Sequence, residues 1–111
     1  MVESDQILLQ RMLDEIEIIE RAVKNISFEK FYFDEVIKRA VMMAFLNIGE
    51  FAKRLSDGFK KSAPEIPFNE IIATRNNAAH GYDGIKFEFI WETIHSDLPE
   101  LKNSISKRID V

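Results

Sequence analysis

Glu35-Val-Ile-Lys-Arg-Ala40-Val-Met-Met-Ala-Phe45-Leu-Asn-Ile-Gly-Glu50-Phe-Ala-Lys-Arg-Leu55-Ser-Asp-Gly-Phe-Lys60 reads as one long helix, and it decides the fold. Asp34 stands before it as an N-cap, able to accept from the first free backbone N–H groups. Val36, Ile37, Ala40, Val41, Ala44, Phe45, Ile48, Phe51, Ala52, Leu55 and Phe59 make a wide apolar face. Met42, Met43 and Leu46 fall outside it, so the helix is apolar nearly all round. Such a helix is either central in its own domain or also buried against a second chain. In a chain of 111 residues the second option is expected. Gly49 inside the helix costs about 1 kcal/mol relative to Ala, which a close helix–helix approach would explain. Glu50 lies one turn from Arg54, and two readings stay open: a surface pair, or a carboxylate facing the Arg75 cluster described below.

Upstream, Ser4 or Asp5 can cap a first helix running to about Lys24. Leu9, Met12, Leu13, Ile16, Ile19 and Val23 recur at three- and four-residue intervals and form a single stripe. Residues 25–33 break this period and are expected to form a connection with Phe28 and Phe31 tucked in. Downstream, Ser62-Ala-Pro64-Glu-Ile-Pro67 interrupts the helical pattern with two prolines. Pro67 suits the first turn of a third helix carrying Phe68, Ile71 and Ile72 inward and ending near Gly81. Asp83-Gly84 makes a turn. Phe87, Ile90, Trp91 and Ile94 fit a helical period, and no partner strand exists elsewhere. Asp97-Leu-Pro-Glu100 reads as a capping box with proline in the first turn, opening a separate last helix with Leu98, Leu101, Ile105 and Ile109 as its stripe. The expected fold is all-α, an up-and-down bundle of four to five helices in one domain, residues 1–111.

Composition narrows the function. The chain has no cysteine, which removes thiolate catalysis, redox chemistry and Cys-based zinc sites. Hydrophobic residues at 46% and charged residues at 31% suit a globular chain that closes a core without staples. No apolar run approaches the roughly 20 residues needed to span a bilayer. Met1-Val-Glu-Ser-Asp is acidic and lacks the basic start of a secretory signal, so no membrane association and a cytoplasmic location are expected. A net charge of −4 argues against a broad basic face for nucleic acid, although it leaves room for a local basic cleft.

Polar, chemically capable side chains cluster in Ile71-Ile-Ala-Thr-Arg75-Asn-Asn-Ala-Ala-His80-Gly-Tyr82. Arg75 brings a permanent cation with a planar fork of donors, and His80 a group that exchanges protons near neutral pH. Residues five apart on a helix lie roughly 140° apart, so the two share a face only if the helix ends near Ala79 or His80. Acting together on a phosphodiester, the imidazole would serve as general base for a ribose 2′-hydroxyl or as general acid for the leaving oxygen. The guanidinium would hold the charge building on the phosphorane. No metal or other cofactor is needed by that route, because the 2′-hydroxyl is an internal nucleophile. The competing reading is structural: His80 at a helix C-terminus facing its last carbonyls, and Arg75 paired with an acid. Asn76 and Asn77 are open in the same way, as cleft lining or as ordinary helix-end residues.

The run Arg75-Asn76-Asn77-Ala78-Ala79-His80-Gly81-Tyr82, of the form R-N-x-x-x-H-x-Y, resembles the signature of the HEPN superfamily and, more closely, of HepT-type ribonuclease toxins. Ile48-Gly-Glu50, Pro64-x-Ile-Pro67, Ile90-Trp91 and Leu98-Pro99 match that family's layout, so the resemblance covers nearly the whole chain. It implies a homodimeric helical bundle whose motif helices meet across a two-fold cleft, bringing together two copies of Arg75 and His80. It further implies a metal-independent endoribonuclease acting on RNA, silenced by an MNT-type minimal nucleotidyltransferase antitoxin that adds AMP to Tyr82. In that frame Asn76 and Asn77 line the cleft and Glu50 supports it. Phe68 departs from the tryptophan that many relatives carry after the proline, which bears on packing more than chemistry.

The remaining candidates are weaker. His95 has no acidic or histidine partner at metal-ligand spacing and reads as a surface or helix-end histidine, so no metal site is expected. Lys60-Lys61 reads as a solvated helix end. Three classes of function stay in view: the ribonuclease toxin, a non-catalytic HEPN-type subunit that binds substrate or partner for a nucleotidyltransferase, and a structural dimer without chemistry.

Overall fold

A computed structural model describes residues 4–79 and 84–109; the side chains of 74–79 are outside the description. Among the described residues there are six helices and no strand: α1 Asp5–Val23, α2 Phe28–Phe33, α3 Glu35–Arg54, α4 Asp57–Ser62, α5 Phe68–Ala79 and α6 Phe87–Ser106. The all-α bundle expected from the periodicity is present. No helix among these residues is long and apolar enough to cross a membrane.

Each early boundary has a local chemical cause. Ser4 caps α1 by accepting from the Ile7 N–H at 3.2 Å. The helix ends where Asn25 turns into the left-handed region at φ 59°, a conformation asparagine tolerates better than most residues. Ser27 then caps α2, and Asp34 caps α3 by accepting from Ile37 N–H at 3.0 Å. That backbone hydrogen bond, with Lys30 beside it, holds the Asp34 carboxyl below its ordinary pKa.

Residues 25–33 therefore hold a short helix rather than a bare connection. A six-residue helix is unstable alone; tertiary contacts must hold it. Phe31 is fully buried and lies 5.2 Å from the Trp91 ring and 6.0 Å from Phe87, both on α6. Phe28 meets Trp91 edge-on at 5.9 Å. Lys38 on α3 is also buried, with its ammonium 4.5 Å from the Phe87 ring centre and 5.0 Å from that of Tyr32. A cation over aromatic faces, with Glu35 at 3.2 Å, makes this burial tolerable and ties α2, α3 and α6 together.

The long helix is shorter than its pattern. Expected to reach Lys60, it stops at Arg54, and Ser56 starts α4. Ser56 is fixed from outside its own segment: its N–H and hydroxyl donate to the two oxygens of Asp5, at 2.9 and 2.6 Å. This clasp between residues 51 positions apart is what ends α3, and periodicity carries no record of it. The inward face of α3 is Val41, Met42, Ala44, Phe45, Ile48 and Ala52. Met42 thus belongs to the core, whereas Val36 (78% exposed) and Met43 (59% exposed) do not.

The C-terminal third corrects a second expectation. Residues 87–106 form one helix that continues through Pro99, not two helices separated at a capping box. Pro99 lacks the N–H that would reach the His95 carbonyl, a loss confined to one rung. Phe87, Ile90, Ile94, Leu98, Leu101 and Ile105 are all buried on one continuous stripe, and splitting the helix would rotate half of them out of the core. Burial along 20 residues outweighs one missing hydrogen bond.

α3 packs against α1 on one side and α5 on the other, and α6 leans on α1. Polar links fix the register: Asn47 donates to Glu15 at 2.9 Å, Lys102 to Glu20 at 2.9 Å, and Gln6 to the Arg108 carbonyl at 2.8 Å. The Glu20 carboxylate raises the Lys102 pKa above its ordinary value. Arg108 reaches Glu65 in the loop before α5 through Nε at 2.9 Å and Nη2 at 2.6 Å, pinning that loop to the end of α6. The Glu65 carboxyl is held low by its own backbone N–H and then by Arg108.

Candidate functional site

The candidate site is carried by α5, and the residues before it show how that helix is set. Ala63 and Ile66 are buried plugs in the proline-rich loop, so the chain enters α5 from an anchored start. The Pro67 carbonyl accepts from Ile71 N–H at 3.1 Å, which makes Pro67 the boundary residue of the helix. Phe68 stands edge-on to Phe59 of α4 at 6.2 Å and is half-buried, so its ring is a packing element. Ile71 and Ile72 are partly buried against the core.

From that start the α5 backbone stays helical through Ala79. Arg75, Asn76 and Asn77 therefore sit on its helical backbone. Their side chains lie outside the described residues, and so do His80 and Tyr82 altogether. Glu50 is the candidate whose side chain is described. It is half-buried on α3, the helix against which α5 packs, with Oε1 withdrawn from solvent. One turn further on, the Arg54 guanidinium lies 5.8 Å from the Phe51 ring centre, on an exposed side chain. Gly49, next to Glu50, is buried, in keeping with the close approach expected there.

Outside this region, His95 is mid-helix on α6 rather than at a helix end. Its ring lies tilted against that of Trp91 at 4.3 Å between centres, and Nδ1 lies 2.8 Å from the Trp91 carbonyl oxygen. The group is exposed and locally engaged. Lys60 and Lys61 occupy the last turn of α4. Two features escaped sequence reading. Lys38 looks like any helix lysine until α2 and α6 fold over it. The acids Glu65, Glu70, Asp97 and Glu100 are scattered along the chain, yet all of them line one cleft.

Comparison with known proteins bears on the whole chain. The family model described as Ribonuclease HepT-like matches residues 12–108. A protein of Caldanaerobacter subterraneus subsp. tengcongensis bearing the name "Putative RNase" is 36% identical over 99 residues, spanning 89% of this chain and 88% of its own. A Thermococcus cleftensis protein named "Probable ribonuclease HepT" is 35% identical, covering 89% of this chain and 90% of its own. A Methanocaldococcus jannaschii protein, also named "Putative RNase", is 32% identical over 91% of this chain and 84% of its own. No solved structure matches. The match from α1 to the end of α6, which takes in the motif helix and the proline loop alike, places the chain in the HepT-like ribonuclease family.

Proposed function

We propose that this chain is a metal-independent endoribonuclease of the HepT type, with Arg75 and His80 as its catalytic residues, acting as the toxin half of a two-gene module. Family membership across residues 12–108 is the observation that carries the reading. The helical course of the α5 backbone through Arg75 to Ala79 agrees with it. In the proposed reaction one His80 withdraws the proton from a ribose 2′-oxygen as that oxygen bonds to phosphorus. A protonated His80 gives its proton to the 5′-oxygen as the P–O5′ bond breaks, leaving a 2′,3′-cyclic phosphate. Arg75 holds the equatorial oxygens, whose charge is greatest at the transition state.

A homodimer supplies the two histidines. Val36 and Met43 are exposed apolar residues on α3, and Glu50 lies seven residues beyond Met43, two turns along the same side of the helix. A second copy covering that side would bury Met43 and seat Glu50 at the cleft, with Asn76 and Asn77 lining it toward RNA. The partner that silences the enzyme is an MNT-type nucleotidyltransferase antitoxin adding AMP to Tyr82. Intact mass after co-expression with the neighbouring reading frame tests this part. An AMP-sized increase that maps to Tyr82 is expected. An unmodified chain that also leaves RNA uncut favours the non-catalytic binding subunit instead.

A further inference from the structure

A cleft of about 630 Å³ opens between the start of α5 and the C-terminal half of α6, floored by α3. Its volume is in the range of ligand-binding pockets, about 300–1,000 Å³. Phe45 and Ile48 of α3 form the floor, and Ile71, Leu98 and Leu101 the walls. It lies at the first turns of α5, whereas Arg75 lies toward the other end of that helix.

The rim gives the cleft its character. Glu65, Glu70, Asp97 and Glu100 line it, and no lysine or arginine is among the described lining residues. Glu65 is already engaged by Arg108. Asp97 and Glu100 are exposed on α6 and have no ion pair among the described residues. They are three apart, so they share an edge of α6 directly beside the Leu98–Leu101 wall. An apolar slot edged by acids repels phosphate and therefore excludes RNA. A two-fold contact through this slot would set the acids of one copy against those of the other, which disfavours a second copy as occupant.

We propose that this cleft is a docking groove for a basic amphipathic helix of a partner protein. Leucine- or isoleucine-like side chains one turn apart would seat between α5 and α6. Lysines or arginines flanking them would meet Asp97 and Glu100. Occupancy of the groove is tested without any activity measurement.

The probe is a fluorescein-labelled peptide of roughly 18 residues, with leucine at i, i+3, i+4 and i+7 and lysine elsewhere, titrated with the full chain in fluorescence anisotropy. Saturable binding is expected, weakened at least about tenfold by Asp97→Lys with Glu100→Lys. Asp14→Lys with Glu17→Lys, on the exposed side of α1, should leave the affinity within about twofold. Amide chemical-shift changes should concentrate at residues 65–71 and 97–104. The proposal is overturned by absence of saturable binding, by equal weakening from the two charge-reversed pairs, or by shifts centred elsewhere.

Discussion

Replacing Pro99 with alanine should make the protein more stable. Pro99 is exposed and lies inside a helix that runs without interruption from Phe87 to Ser106. An interior proline disfavours a helix by about 3 kcal/mol relative to alanine, through a missing N–H and a clash with the carbonyl four residues back. Here that carbonyl belongs to His95. Alanine would restore the hydrogen bond, with a net contribution of about 1 kcal/mol, and remove the clash. Against that gain, proline also stiffens the unfolded chain by about 0.4–1 kcal/mol. The expected gain is about 1–3 kcal/mol. With a urea m-value of about 1–3 kcal/mol/M for a small domain, the unfolding midpoint should rise by roughly 1 M. Trp91, the sole tryptophan, reports the transition by fluorescence, with far-UV dichroism as the second probe. If Pro99 instead occupied the first turn of a separate helix, alanine would be neutral or would destabilise by a few tenths to 1 kcal/mol. A midpoint that stays put or falls would refute the continuous helix and the energetic ordering behind it.

Three further outcomes follow. Phe31→Ala should cost about 4 kcal/mol in the same denaturation experiment, because a fully buried ring that anchors α2 to Trp91 and Phe87 is lost, while Phe31→Leu should cost less than half of that. Asp34 and Glu65 have lowered carboxyl pKa values, so their stabilisation is present above the ordinary carboxylate range and is lost as pH falls through the native values. Thermal midpoints should hold near neutrality and decline below about pH 4, less steeply in Asp34→Asn with Glu65→Gln; Lys102, raised by Glu20, keeps its contribution until pH rises past the ordinary lysine value. Met43→Asp, on a residue 59% exposed in the single chain, should leave the helical dichroism intact yet shift the species seen in analytical ultracentrifugation from dimer to monomer.

Much of this architecture was legible because helices announce themselves by period. The stripe of α1 is in place and that of α3 in part, with Met42 inside and Val36 outside it, and Ser4 and Asp34 cap as their side-chain chemistry required. What was missed depends on contacts between distant residues. Ser56 ends α3 because Asp5, 51 positions away, holds it. Phe28–Phe33 is helical because α6 supplies rings for Phe31. Pro99 looks like a start signal because local rules weigh a proline and its flanking acids, whereas the structure weighs six buried side chains in line. For the candidate site, composition and spacing reached only a polar helix end; its reading as a site rests on the resemblance to the family. Glu50 illustrates the limit: the sequence left open a surface pair with Arg54 or a carboxylate facing the Arg75 cluster, and that its Oε1 is withdrawn from water is visible only in the fold.

The most direct test of the central claim is RNA cleavage by the purified chain in excess EDTA, comparing wild type with Arg75→Ala and His80→Ala at matched dichroism and dimer content. Removing either member of a catalytic set typically lowers rate by about 10²–10⁴-fold. The account predicts cleavage with cyclic-phosphate ends by wild type and loss of that order in each variant. Wild-type cleavage that both variants retain, or that requires added metal, would contradict it.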